Sequence, residues 1–105
     1  MIKIAKPKKI KPKDAAEMVS SSRAILVDVR SPQEFRQAHI PGALMLPLDR
    51  LPSAAEKTLP DKDAVIILYC LSGARSRAAG KLLAQMGYLN VRNLGAMHLW
   101  PHAAS

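Results

Sequence analysis

The most constraining feature of the chain is a continuous apolar run at residues 64–69, which reads Ala-Val-Ile-Ile-Leu-Tyr. A run of this length without polar alternation is typical of a strand that is buried on both faces, as in a parallel sheet. A second run, at residues 24–27, has the same character and ends in Asp28-Val29. Shorter strands are predicted at residues 43–46 and 91–94.

Helix signals separate these strands. Pro12 suits the first turn of a short helix over residues 13–20. Ser31, followed three positions later by Glu34, forms a capping box, which predicts a helix that runs to about residue 38.

The second half of the chain continues the alternation. Asp49 is predicted to cap a helix that ends near residue 58, and a longer amphipathic helix is predicted over residues 75–86. Residues 96–100 are predicted to form a final helical turn. Strands that alternate with helices imply an α/β fold, with a mostly parallel sheet of four or five strands and helices on both faces.

The net charge of +8 is concentrated at the start of the chain. We therefore divide the chain into a basic N-terminal arm, residues 1–9, and one domain over residues 10–105. The simplest interpretation is a solvated arm, while contact with RNA, DNA or anionic lipid is an alternative. A positive field also raises the encounter rate with small anions. Aromatic residues make up only 4% of the chain, which argues against a nucleic-acid partner.

The chain has a single cysteine, Cys70, so it has no internal disulfide. We see no signal peptide, and the longest apolar run, residues 64–71, is too short to span a membrane. We therefore expect a cytoplasmic protein without a membrane partner. His98 and His102 have no partner ligands at metal spacing, and we predict no metal and no cofactor.

Cys70 directly follows the predicted central strand and precedes a predicted helix, where ligands bind in open α/β sheets. A tight loop at a helix N-terminus directs several backbone N–H groups at one point, which lowers a thiol pKa and binds anions. We predict Cys70 as a nucleophile, although a buried, inert cysteine is the alternative. The predicted anion-binding residues are Leu71, Ser72, Gly73, Ala74, Arg75 and Ser76.

Over residues 10–100 the chain resembles the rhodanese family. The resemblance is carried by four motifs in order: Asp28-Val29-Arg30 with Glu34-Phe35; His39-Ile40-Pro41-Gly42-Ala43 with Pro47; the loop from Cys70 to Ser76; and Asn93-Leu94-Gly95 with Trp100. Two positions depart from the family pattern, since Ala38 and Ala96 stand where glycine is common.

The resemblance implies a sulfurtransferase with Cys70 as its catalytic residue. The thiolate would take a sulfane sulfur from a small anionic donor such as thiosulfate and pass it from a persulfide to cyanide, a thiol or a partner protein. Arg75 would bind the anionic leaving group. Asp28, Arg30 and His39 are predicted to support the site without touching substrate, and the protein is expected to be a monomer or weak dimer.

Three other functions stay open. The chain could act as a persulfide carrier or regulatory binding module without turnover, and a low-pKa cysteine could sense oxidants. Phosphatases and arsenate reductases of the same fold have five residues between Cys and Arg, whereas four separate Cys70 from Arg75 here. We expect the shorter loop to suit a sulfane sulfur better than a phosphoryl group.

Overall fold

The computed structural model describes residues 4–101. The start of the predicted arm and the last four residues, including His102, lie outside the described residues. The predicted arm and the C-terminal end of the predicted domain are therefore only partly described.

Five strands form one sheet in which every pair of neighbours is parallel. The sheet order is β1-β5-β4-β2-β3, so β4 lies at its centre. This confirms the predicted α/β fold with a parallel sheet. The strands are β1 (Lys8–Lys9), β2 (Ile25–Asp28), β3 (Leu44–Met45), β4 (Val65–Cys70) and β5 (Asn90–Ala96).

Four α-helices connect the strands, together with short 3-10 turns at Leu48–Arg50 and Met97–Leu99. The longest helix has 12 residues, and no helix of residues 4–101 has the length and apolar composition needed to cross a bilayer. The helices are α1 (Pro12–Ser20), α2 (Pro32–Gln37), α3 (Leu51–Thr58) and α4 (Ala74–Gln85).

Two predicted helix caps have different outcomes. At α2 the capping box is confirmed, because Glu34 N–H donates to Ser31 Oγ over 3.2 Å and Ser31 N–H donates to Glu34 Oε1 over 3.0 Å. At α3 the prediction for Asp49 was wrong. Asp49 lies within the preceding 3-10 turn, so Arg50 takes the cap position and makes no side-chain cap hydrogen bond.

The sequence does not predict β1. Lys8 and Lys9 pair with Arg92 and Asn93 of β5, so the first strand lies on the arm side of the boundary expected at residue 10. Both lysine side chains are exposed, so the pairing of β1 with β5 depends on backbone hydrogen bonds. It therefore leaves no apolar pattern in the sequence.

Successive side chains of β4 point to opposite faces of the sheet. Ile66, Leu68 and Cys70 belong to the buried cluster that includes residues of α3 and α4. Ile67 and Tyr69 belong to the cluster on the other face, where α1 packs. Helices therefore cover both faces, as predicted, and Cys70 emerges at the carboxyl end of the central strand.

Candidate active site at the end of β4

Cys70 is the last residue of β4, and its side chain faces the first turn of α4. The residue is fully buried, but its sulfur is not turned away from polar groups. Gly73 N–H donates to Sγ over 2.9 Å, and Ser76 Oγ lies 3.7 Å from Sγ. The thiol donates to this hydroxyl, which itself donates to the Gly73 carbonyl over 3.0 Å; the hydroxyl would have to turn to donate to a thiolate.

These contacts change the acidity of the thiol. Burial alone would raise the pKa of Cys70, because it penalises the anion. The N–H and hydroxyl of Ser76, with the N–H groups of Gly73 and Arg75, outweigh this effect and bring the pKa below its ordinary value of 9.0. The site therefore favours the thiolate, which is the nucleophilic form of cysteine.

Gly73 shapes the loop. Its φ of 106° lies in the region that favours glycine, and it occupies the N-cap position of α4. A Cβ added here would lie 3.8 Å from the Cα of Gly95, which is an ordinary contact distance. The requirement for glycine at this position therefore comes from the backbone conformation, which brings the Gly73 N–H to the sulfur.

The other predicted loop residues have a different environment. Leu71, Ser72 and Ala74 are exposed, and Leu71 keeps 57% of its surface accessible. Within residues 4–101 the backbone hydrogen bonds that lower the thiol pKa come from Gly73, Arg75 and Ser76. The exposed residues form the outer side of the loop.

The guanidinium of Arg75 is held by Glu34 of α2. Two hydrogen bonds, of 2.6 and 3.0 Å, join the two side chains, and together with the hydrogen bonds from Ser31 they lower the pKa of Glu34 to about 2. The sequence predicts a guanidinium offered to the substrate, whereas the structure shows it already engaged by a carboxylate. Sequence spacing gives no sign of this pair, because its members are 41 positions apart.

Asp28 and Arg30 form a second, buried ion pair at the end of β2. Arg30 Nη2 donates to Asp28 Oδ2 over 2.7 Å and to the carbonyl of Ala38 over 2.6 Å. The hydrogen bond to Asp28 is the main cause that raises the pKa of Arg30. The pair thus fixes the end of β2 to the segment that follows α2.

Tyr69 completes this network, and the sequence does not predict its role. Its hydroxyl donates to Asp28 Oδ2 over 2.7 Å and accepts the N–H of Ile40 over 3.0 Å. Burial raises the pKa of Tyr69 far above its ordinary value. The available signal was a tyrosine inside a buried strand, because a buried hydroxyl needs a polar partner.

His39 lies on the same connection but contacts α2. Its ring stacks on Phe35 with centroids 3.8 Å apart, and Nδ1 lies 2.8 Å from the Phe35 carbonyl oxygen. The structure brings Asp28 and Arg30 together but places His39 in a separate contact. In the described part of the chain, no three His, Cys, Asp or Glu side chains gather in an arrangement that could hold a metal ion.

Together these features define an α/β fold with a cysteine of lowered pKa in an N–H-lined loop at the end of its central strand. The family model of the rhodanese-like domain matches residues 11–102. The chain therefore belongs to the rhodanese family, as the resemblance implies.

Individual relatives are similar over most of their length. The thiosulfate sulfurtransferase PspE of Escherichia coli K12 is 35% identical over 71 residues, which is 68% of both chains. A sulfurtransferase of Allochromatium vinosum is 42% identical over 84 residues, covering 79% of this chain and 77% of the relative. The human single-domain sulfurtransferase TSTD1 superposes with a TM-score of 0.80 at 30% identity, covering 90% of this chain and 97% of that one. These similarities support a sulfurtransferase activity.

Proposed function

We propose that the chain moves a sulfane sulfur from a donor such as thiosulfate to a thiophilic acceptor through a persulfide on Cys70. The observation that carries this proposal is the 2.9 Å hydrogen bond from Gly73 N–H to the sulfur of Cys70. The choice of thiosulfate is supported by the name of the Escherichia coli relative. Acceptors of this chemistry include cyanide, small thiols and a cysteine of a partner protein.

The reaction consists of two displacements. In the first, the Cys70 thiolate attacks the outer sulfur of thiosulfate, the sulfur–sulfur bond breaks, and sulfite leaves with the electron pair. In the second, the acceptor attacks the outer sulfur of the persulfide, and the Cys70 thiolate leaves. A low thiol pKa helps the second step, because a more acidic thiol is a better leaving group.

The loop residues have distinct roles in this proposal. The backbone from Leu71 to Ser76 binds the substrate anion, and the N–H groups of Gly73, Arg75 and Ser76 stabilise the charge on sulfur. Arg75 has five N–H donors, and two of its nitrogens face Glu34. We assign the remaining donors to the leaving sulfite.

Asp28, Arg30 and His39 act through position. The buried pair of Asp28 and Arg30 secures the end of β2 beside β4, and His39 secures the end of α2 through Phe35. None of the hydrogen bonds described for these three residues reaches the sulfur of Cys70.

The test is an assay of thiocyanate formation from thiosulfate and cyanide, with the Cys70→Ser variant alongside. We expect turnover by the parent chain and none by the variant. Phosphate release from an aryl phosphate, measured on the same samples, should be negligible beside sulfur transfer. Equal thiocyanate formation by the variant would refute the proposal, and phosphate release that exceeds sulfur transfer would favour a phosphatase.

A further inference from the structure

A groove of about 650 Å³ lies between the N-terminal segment and α4. Five exposed cationic side chains line it, and no acidic side chain does. Within residues 4–101 none of the five takes part in an ion pair. We call this feature the basic groove, after Lys6, Lys8, Lys9, Arg77 and Lys81.

The N-terminal segment lies directly against the helix in this groove. A Cβ added at Gly80 of α4 would lie 3.3 Å from the Cγ of Pro7, so glycine permits the close approach. Ile4 and Ala84 add apolar surface, and Ile4 is 56% exposed. The groove thus combines a cationic rim with apolar atoms.

One polar group beside the groove lacks a partner. Asn93 lines the groove, and its Oδ1 is buried without a hydrogen-bond partner in the described part of the chain. Because that oxygen has almost no exposed surface, it does not decide which occupant the groove takes.

The basic groove also reaches the candidate active site. Ser76 is one of its lining residues, and the Ser76 hydroxyl lies 3.7 Å from the sulfur of Cys70. The buried Ser76 side chain therefore separates the groove from the sulfur, and a segment bound in the groove would lie beside the Cys70 loop.

We propose that the basic groove binds an acidic polypeptide segment of the protein that accepts sulfur from Cys70. An acidic peptide supplies carboxylates for the cations and apolar side chains for Ile4 and Pro7. None of the described residues that line the groove is aromatic, so it offers no stacking surface for bases. This inference rests on the proposed function, because it names the acceptor of that same persulfide.

The transfer step balances without another reactant. A thiolate of the bound protein attacks the outer sulfur of the Cys70 persulfide, and a new sulfur–sulfur bond forms. The bond between that sulfur and Sγ breaks, and Cys70 leaves as the thiolate. The partner keeps the sulfur as its own persulfide.

The test uses a fluorescein-labelled synthetic peptide of alternating glutamate and leucine, with the corresponding glutamine peptide as a neutral control. Its binding is followed by fluorescence anisotropy for the parent chain and for the double variant Lys8→Glu/Lys81→Glu. The matched control is Arg50→Glu/Lys57→Glu, which makes the same change in net charge at exposed positions outside the groove.

We expect the groove variant to raise the Kd for the acidic peptide by about tenfold or more. The control variant should raise it by about twofold or less. The neutral peptide should bind weakly to all three proteins, and thiocyanate formation should be the same in the two variants, because both make the same change in net charge. Equal weakening by the two variants would overturn the inference, as would the absence of binding to the acidic peptide. Tighter binding of a single-stranded RNA of the same charge would also overturn it and assign the groove to nucleic acid.

The two proposals can fail separately. If thiosulfate leaves no sulfur on Cys70, the proposed function fails whatever the peptide does. If the persulfide forms but the acidic peptide does not bind, only the inference about the groove fails.

Discussion

Glu34 and Arg75 face each other across the candidate active site, joined by two hydrogen bonds of 2.6 and 3.0 Å. The pair links α2 to the first turn of α4, so it ties the Cys70 loop to a second element of the fold. It also balances the charge of the guanidinium assigned to the leaving group. Arg75 thus has a structural contact as well as its proposed contact with the anion.

The Glu34→Gln variant tests this pair through its dependence on pH. Because the pKa of Glu34 lies near 2 instead of its ordinary 4.5, the ionised side chain stabilises the fold above pH 4.5, and this contribution is lost as the pH falls towards 2. Glutamine keeps the cap to the Ser31 N–H but not the charge. We expect a loss of about 1 kcal/mol or less near neutral pH, which shrinks in acid, measured by urea unfolding.

Glu56→Gln provides a matched control for this prediction. Glu56 pairs with Lys62 over 2.7 Å, but its side chain is 65% exposed against 29% for Glu34. We expect its loss to cost less than that of Glu34. A difference between the parent chain and Glu34→Gln that stays constant from neutral pH to pH 2 would contradict the account.

Gly73→Ala should break the hydrogen bond between the Gly73 N–H and the sulfur of Cys70. An alanine at a φ of 106° is strained by roughly 1–2 kcal/mol, and relaxation of the backbone would move the N–H away from Sγ. Gly42→Ala imposes similar strain at a φ of 88° with open space around the new Cβ. We expect both variants to lose stability and only Gly73→Ala to lose sulfur transfer. Equal activity in the two variants would remove the Gly73 N–H from the mechanism.

Ser76→Ala removes a hydroxyl that lowers the thiol pKa but leaves the Ser76 N–H in place. We expect the pKa of Cys70 to rise, so that the thiolate fraction and the transfer rate fall at neutral pH and recover as the pH is raised. Thiolate absorbance, titrated against a Cys70→Ser blank, measures this change. Ser53→Ala, which removes an exposed hydroxyl of α3, should leave the titration unchanged. An unshifted curve for Ser76→Ala would contradict the assigned role of the hydroxyl.

Tyr69→Phe should destabilise the fold more than Tyr88→Phe. The first change leaves both the Ile40 N–H and Asp28 Oδ2 without this partner, whereas the second frees only the Leu59 carbonyl. We expect the free energy of unfolding to fall by about 1–3 kcal/mol in Tyr69→Phe, because buried polar groups lose a hydrogen-bond partner. Urea unfolding of the two variants checks the order, and the reverse order would contradict the role given to Tyr69.

The parts of the fold that depend on local pattern could be predicted from the sequence. The apolar runs at residues 24–27 and 64–69 correspond to β2 and β4, and the capping box at Ser31 and Glu34 forms as expected. Both signals are short-range, because burial on two faces and reciprocal capping each require particular residues at fixed spacing. The first strand, Lys8–Lys9, was not predicted. It pairs with β5 through backbone groups, and its exposed lysines give no apolar pattern in the sequence.

The same distinction applies to the site. The loop from Cys70 to Ser76 has a recognisable sequence, and the positive φ of Gly73 is what a glycine at that position permits. The direction of the Arg75 side chain and the role of the Tyr69 hydroxyl depend on residues far away in sequence. Such contacts become visible only when α2 and the segment after it are placed beside β4.

The most direct test of the account is the intact mass of the chain after treatment with thiosulfate and removal of excess reagent. We predict a gain of about one sulfur mass on the parent chain, because the N–H groups around Cys70 lower the pKa of its thiol and so favour the nucleophilic thiolate. The gain should be reversed by cyanide and should not occur in Cys70→Ser. An unchanged mass of the parent chain under these conditions, or the same gain in Cys70→Ser, would contradict the account.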